Sequence, residues 1–193
     1  MLVRAGGWLF RNRGWLPIPA FAGLVYATTP FGLQTGTGLG TVWLGALVRL
    51  WSAIHMGPNG RSRTPTVEKL VYTGPYELTR NPLYIANIAI YTGVGVATIG
   101  LWGGSAMFLC SSLYYTAIVR FEEDFLEHRL GEIYRSYRNR VPRWLGEAAP
   151  VHAAAPKGIL AERANAAMRS ERTTLMLCGI VTLLVLIRSV SAG

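Results

Sequence analysis

Two stretches of this 193-residue chain combine residue types that can do chemistry. Residues 70–84 read LVYTGPYELTRNPLY, which sets Gly74, Pro75, Pro82, Arg80 and three tyrosines (Tyr72, Tyr76, Tyr84) at the mouth of an apolar run. Further on, Glu122-Glu123 open a helical stretch that ends in Tyr134, Tyr137 and Val141-Pro142-Arg143. Carboxylates accept hydrogen bonds from ammonium and hydroxyl groups, and a guanidinium binds a carboxylate in return. Tyrosine faces receive cations.

The local signals are specific about backbone. Gly74-Pro75 is a turn in which proline fixes φ and glycine lets the backbone approach a ligand closely. Asn81-Pro82 has the form of a helix cap followed by proline at the first helical position. The free N–H groups and positive dipole end there can receive a carboxylate; the alternative is a loop-to-helix junction with no ligand. For a helix starting near Phe121, Leu126, Leu130, Ile133, Tyr134 and Tyr137 fall on one face. Glu123 lies about 40° from its centre and Glu122 about 65°. Asp124 and His128 lie opposite. Carboxylates bordering an apolar face need cationic or hydroxyl partners. Pairing with Arg80, Arg120 or Arg143 is the plain reading beside the functional one.

The elements that must position these residues are membrane spans. Hydrophobic residues make up 51% of the chain, charged residues only 15%, and the mean hydropathy is +0.29; about 25% charged is usual in soluble domains. Apolar runs predict spans at 15–29, 39–55, 83–99, 101–119 and 173–187, with the third and fourth closed into a hairpin by Gly100-Leu101-Trp102-Gly103-Gly104. Residues 147–156 (EAAPVHAAAP) read as a linker and 157–172 as a basic interfacial helix.

Charge sets the orientation. Of the 19 Lys and Arg, all but Arg49 and Arg188 fall in residues 1–14, 56–82 and 120–172, and all ten acidic residues fall in the same segments. That side is cytoplasmic by the positive-inside rule, and the N-terminus with it. Arg49 and Arg188, near helix ends, can snorkel. The net charge of +9 thus belongs to a membrane surface and not to nucleic acid. Cys110 and Cys178 lie in apolar runs and read as packing residues. His55, His128 and His152 have no metal-ligand spacing, and no metal is expected. There is no P-loop, no G-x-S-x-G and no dinucleotide fingerprint.

Taken together, L-V-Y-T-G-P-Y, T-R-N-P-L-Y, E-E-x-x-L, G-x-x-Y-x-x-Y and V-P-R resemble the integral-membrane methyltransferases, the isoprenylcysteine carboxyl methyltransferases and phospholipid N-methyltransferases. The resemblance covers residues 70–144. It implies a helical membrane enzyme using S-adenosylmethionine, with Leu70, Val71, Gly74, Pro75, Tyr76, Arg80, Asn81, Pro82, Tyr84, Glu122 and Glu123 around the cofactor. Arg80, Asn81, Glu122 and Glu123 are the candidate catalytic residues. Isoprenylcysteine enzymes usually have His at the position of Asn81, which argues against prenylcysteine as acceptor.

The expectation is therefore an all-α polytopic membrane helical bundle of about five transmembrane helices in the cytoplasmic (inner) membrane, with a cytoplasmic-face cofactor site. Residues 1–69 supply two spans and a loop, 70–144 the motif core, 145–172 the linker and interfacial helix, and 173–193 the last span. The partners are the lipid bilayer and a lipophilic acceptor: a phospholipid amine, a lipid carboxylate or a thiol. A glutamate would serve as base for an amine. The rival readings are a membrane reductase with a nicotinamide cofactor and a non-catalytic membrane assembly protein of the same fold.

Overall fold

Glycine and proline mark where the apolar runs start, reverse and stop as helices. The structure is a computed structural model that describes residues 2–12, 23–24, 26–57, 70–146 and 159–191. Every regular element among the described residues is an α-helix: α1 (Leu2–Asn12), α2 (Leu33–Met56), α3 (Pro75–Leu78), α4 (Pro82–Leu130), α5 (Glu132–Arg140) and α6 (Ile159–Ser191). Among the described residues, three segments are long and apolar enough to cross a membrane: α2, α4 and the part of α6 at Arg163–Ser191.

α4 has 49 residues, too many for one pass, since about 20 span a bilayer. It is a hairpin. Ile99 and Gly100 leave helical geometry, and Gly100 takes φ 69°. Glycine meets no steric penalty there. The two limbs then pack so closely that a Cβ on Gly95 would collide with the carbonyl oxygen of Gly103. The Tyr115 hydroxyl donates to that of Tyr91 at 3.0 Å across the hairpin. The reversal comes where the glycine-rich connection predicts it.

Other boundaries differ from the sequence expectation. α2 starts at Leu33, six residues before the predicted span. Threonine hydroxyls of this segment bond back to helix carbonyls, as Thr37 does to Leu33, so its polar residues do not expose unpaired groups. The predicted interfacial helix and last span are one continuous helix, α6, because no proline interrupts 159–191. Residues 2–12, expected only as a charged lead-in, form α1. The predicted first span, 15–29, lies mostly outside the described residues, as does the 147–156 linker.

Two compact units share these helices. One comprises residues 1–11, 48–85 and 116–171, the other 12–47, 86–115 and 172–193. The second is built on Val42, Ala46, Ile90, Val94 and Cys178, with Leu24, Tyr91, Leu175 and Val181 packed around them. Glycine lets α2 and the first limb of α4 touch: a Cβ on Gly38 would collide with the Ala97 nitrogen. Arg188 donates to the Tyr26 carbonyl at 3.0 Å and stands over its ring.

The first unit holds the motif residues 70–84 and 122–143 and has its own core of Tyr134, Tyr137 and Val141 against Leu70, Leu126 and Leu130. Phe10 of α1 is buried against Phe121. Arg49 does not snorkel to water as expected. It pairs with Glu171 of α6 at 2.8 Å, and Glu171 is buried. An ion pair is the usual way to carry a charge inside an apolar helix packing.

Candidate active site

The first unit gathers the motif residues through backbone hydrogen bonds. The chain after α5 returns to the extended stretch before α4. The Arg80 N–H donates to the Pro142 carbonyl at 2.9 Å. The Arg143 carbonyl accepts from the Thr79 hydroxyl at 3.1 Å and from Asn81 Nδ2 at 3.0 Å. Thus T-R-N-P and V-P-R, far apart in sequence, are stitched side by side. Asn81 is the residue before the first turn of α4, but it makes no side-chain cap. This corrects the expected capping role: the side chain instead turns its Nδ2 to the Arg143 carbonyl. Pro82 does occupy the first turn.

Glu123 lies at the centre of a charged cluster. Its Oε2 accepts from Arg143 Nε at 3.0 Å and Nη2 at 2.6 Å. Its Oε1 is 3.0 Å from Arg80 Nη1. Glu123 is buried, and Arg120, the third cation the sequence offers, is exposed. Two guanidinium groups against one carboxylate leave a net positive charge. The Arg80 side chain is 9% exposed, and its Nε is buried with no hydrogen-bond partner. A buried unpartnered donor is costly unless something answers it.

Two tyrosines lie beside this cluster. The Tyr134 hydroxyl stands 3.5 Å from Arg80 Nη1, and the buried Tyr137 hydroxyl donates to the Tyr76 carbonyl at 2.8 Å. Burial, with Glu123 adding to it, pushes the Tyr134 phenol up to about 12. Burial raises Tyr137 as well, followed by the effect of Tyr134. Hydrogen bonding to Glu123 raises Arg143 further above its usual range, so the cation is held firmly charged. The single helical face expected across Leu126–Tyr137 does not exist. α4 stops at Leu130, Gly131 takes φ 54°, and α5 sets off separately. Tyr134 and Tyr137 still reach the core, but Ile133 is exposed.

The Gly74 turn is built as the sequence suggests. Gly74 has φ 61° and ψ −127°, and Pro75 opens α3. The Gly74 N–H donates to Glu77 Oε1 at 3.1 Å, and the Glu77 N–H returns to the Gly74 carbonyl at 3.0 Å. Pro75 and Tyr76 are buried; Val71, Tyr84 and Glu122 are half-buried. The structure therefore joins Arg80, Asn81 and Glu123 directly and ties in Tyr76 through Tyr137. Sequence reasoning passes over Thr79, whose hydroxyl bonds Arg143, and His55, which lies against Gly74. A lone histidine at the end of an apolar run carries no signal of that contact.

A family model described as phospholipid methyltransferase matches residues 33–133. The chain belongs to the phospholipid methyltransferase family. That match covers α2, the Gly74 turn, Arg80, Asn81 and both glutamates. With three helices among the described residues able to cross a membrane, this member of the family is an integral membrane protein. Its curated relatives include the nickel-cobalt-cadmium resistance protein NccN of Alcaligenes xylosoxydans xylosoxydans, 32% identical over 105 residues, which are 54% of this chain and 46% of that protein. The cobalt-zinc-cadmium resistance protein CzcN of Cupriavidus metallidurans is 34% identical over 105 residues, 54% of this chain and 45% of that one. The chain thus spans about half the length of the curated relatives it matches. No solved structure matches the chain. Among the described residues no group of three or more His, Cys, Asp or Glu could hold a metal ion.

Proposed function

We propose that this protein transfers a methyl group from S-adenosylmethionine to a lipophilic acceptor at the cytoplasmic face of the inner membrane, with its N-terminus on that face. Family membership supports the reaction class. The observation that carries the reading to these residues is the Arg80–Glu123–Arg143 cluster, with its excess of positive charge and the buried, unanswered Nε of Arg80.

The residues fit the cofactor at its charged end. A guanidinium fork suits the carboxylate of the methionine moiety. Glu123 holds both arginines in place. Glu122, half-buried one residue earlier, is the carboxylate for the ammonium or a ribose hydroxyl. Gly74, Pro75 and Tyr76 supply a rigid wall, with Leu70, Val71, Asn81, Pro82 and Tyr84 beside it. Bound S-adenosylmethionine supplies a methyl group on a sulfonium centre. The protein aligns the acceptor with it and keeps water out. Acceptors of this class dissolve in the bilayer: a phospholipid amine, a lipid carboxylate or a thiol.

Calorimetry on the protein in nanodiscs tests the reading. Binding of S-adenosylmethionine and of its demethylated product is expected. Absence of binding at millimolar ligand, together with binding of a nicotinamide cofactor, would replace it by a membrane reductase. The metal-resistance names of the two relatives point to a setting for the reaction. Lipid profiles with and without the gene, with labelled methyl donor and with or without cobalt salts, would identify the acceptor.

A further inference from the structure

We infer that His55, near the C-terminal end of α2, is a positioning residue for this site: it holds the Thr73–Tyr76 turn in its ligand-binding shape. The inference rests on the methyl-transfer reading for its kinetic consequence, but not for its geometry.

Three observations converge on the ring. His55 Nδ1 is 3.1 Å from the Thr73 hydroxyl, within hydrogen-bond distance. The ring lies against the next residue, so that a Cβ on Gly74 would collide with Cε1 and come within 2.5 Å of Nε2. Trp51, one helical turn back on α2, meets the imidazole edge-on at 6.2 Å and restricts its tilt. Gly74 is also the residue with φ 61° and ψ −127°, a conformation essentially closed to other residues. On its far side Glu77 ties down the Gly74 N–H. The turn is therefore gripped from two elements, by His55 of α2 and Glu77 of α3. Tyr137 fixes the carbonyl of Tyr76 just beyond it.

Glycine reaches this conformation without steric penalty but remains flexible, so the turn keeps one shape only where its surroundings fix it. Four residues alone, even with proline, cannot hold it. α3 spans only Pro75–Leu78 and has little helical stability of its own. The α2 helix is the rigid body at hand, and His55 is its grip on the turn. Loss of the imidazole would let the Gly74–Tyr76 backbone sample other shapes, and binding would then carry the cost of ordering it.

The test compares wild type, His55→Phe and His55→Asn in nanodiscs. Asn can present a donor or acceptor near the place of Nδ1; Phe keeps a flat ring without one. Three quantities are read: the Kd and KM for S-adenosylmethionine against kcat, the unfolding midpoint, and hydrogen exchange of the peptide covering residues 70–80. His55→Phe is expected to raise Kd and KM about 3- to 10-fold, the worth of one hydrogen bond. kcat should move less than twofold, the unfolding midpoint should hold, and exchange should quicken at 73–77 alone. His55→Asn should restore most of the affinity. Unchanged affinity and exchange in His55→Phe would overturn the inference. So would a loss that Asn does not rescue and that brings faster exchange along the whole chain, since that marks a packing role only. If the wild type binds no S-adenosylmethionine, the functional reading fails by itself. Local exchange at 73–77, quickened by Phe and restored by Asn, still decides whether His55 positions the turn.

Discussion

Arg80 and Glu123 meet at 3.0 Å with only 9% and 10% of their side chains exposed, and Arg143 closes on the other oxygen of the same carboxylate. Glu123 is thus committed to two arginines. Removing one partner of a buried pair costs about 3–5 kcal/mol. Arg143 is 37% exposed, and water takes over part of its charge, so the lower end of that range applies to Glu123→Gln. The expected outcome is a loss of about 3 kcal/mol in a denaturant titration of the detergent-solubilised protein. Asp124→Asn, on an exposed residue 3.8 Å from His128, should stay within about 0.5 kcal/mol. Equal small effects at both positions would return Glu123 to a solvated surface charge.

Glu122→Gln separates binding from stability. The methyl-transfer reading gives this half-buried carboxylate a ligand contact. A lost charged hydrogen bond is worth about 10- to 150-fold in affinity. Calorimetry should show that loss for S-adenosylmethionine with a stability change under about 1 kcal/mol. Unchanged affinity would remove Glu122 from the site.

Tyr134 gives the fold a pH dependence in alkali. Its phenol has an ordinary value of 10.0 and is raised to about 12 in the folded state, first by burial and then by Glu123. The folded protein therefore favours the neutral phenol. The resulting stabilisation is complete below pH 10.0 and is lost as pH rises towards about 12. Stability measured across that window should fall less steeply in Tyr134→Phe than in wild type. At neutral pH the ionisation contributes nothing to the difference between them. Parallel curves would show that Tyr134 is not the titrating group.

Two glycines of α2 should respond oppositely to alanine. At Gly38 the added methyl would collide with the Ala97 nitrogen and meet the Gly93 carbonyl at 2.6 Å, so α2 must move away from α4. Overpacking of this kind costs about 1–3 kcal/mol. At Gly40 nothing lies within 4 Å, and alanine should stabilise the helix by about 0.5–1 kcal/mol. Thermal unfolding of the two variants in one detergent is the comparison. A stable Gly38→Ala would refute the close packing of these helices.

The proposed orientation is tested at Ser136, an exposed position of α5. A cysteine there should react with a membrane-impermeant maleimide only after cells are opened. Labelling of intact cells would invert the topology, and with it the face of the site.

The long apolar helices, the hairpin and the chemical inventory are legible in the amino-acid order alone, whereas α1 and the unbroken run of α6 are not. Apolar runs of membrane length, a glycine cluster at 100–104 and proline after Asn81 are local signals, and local backbone physics answers them directly. The same holds for the Gly74-Pro75 turn, where a positive φ permits few other residues. Which of those residues meet is settled by the packing of the helices. Asn81 reads as a helix cap from its local sequence, yet the side chain donates its Nδ2 to the Arg143 carbonyl, 62 positions away. Glu122 and Glu123 look alike on a helical wheel, but only the return of the chain after Gly131 brings Arg143 back to clasp one of them. His55 and Arg49 read as span-end residues, yet one lies against Gly74 and the other pairs with Glu171. Long-range pairing is set by how helices pack, and a side chain's own neighbours in sequence carry no record of it.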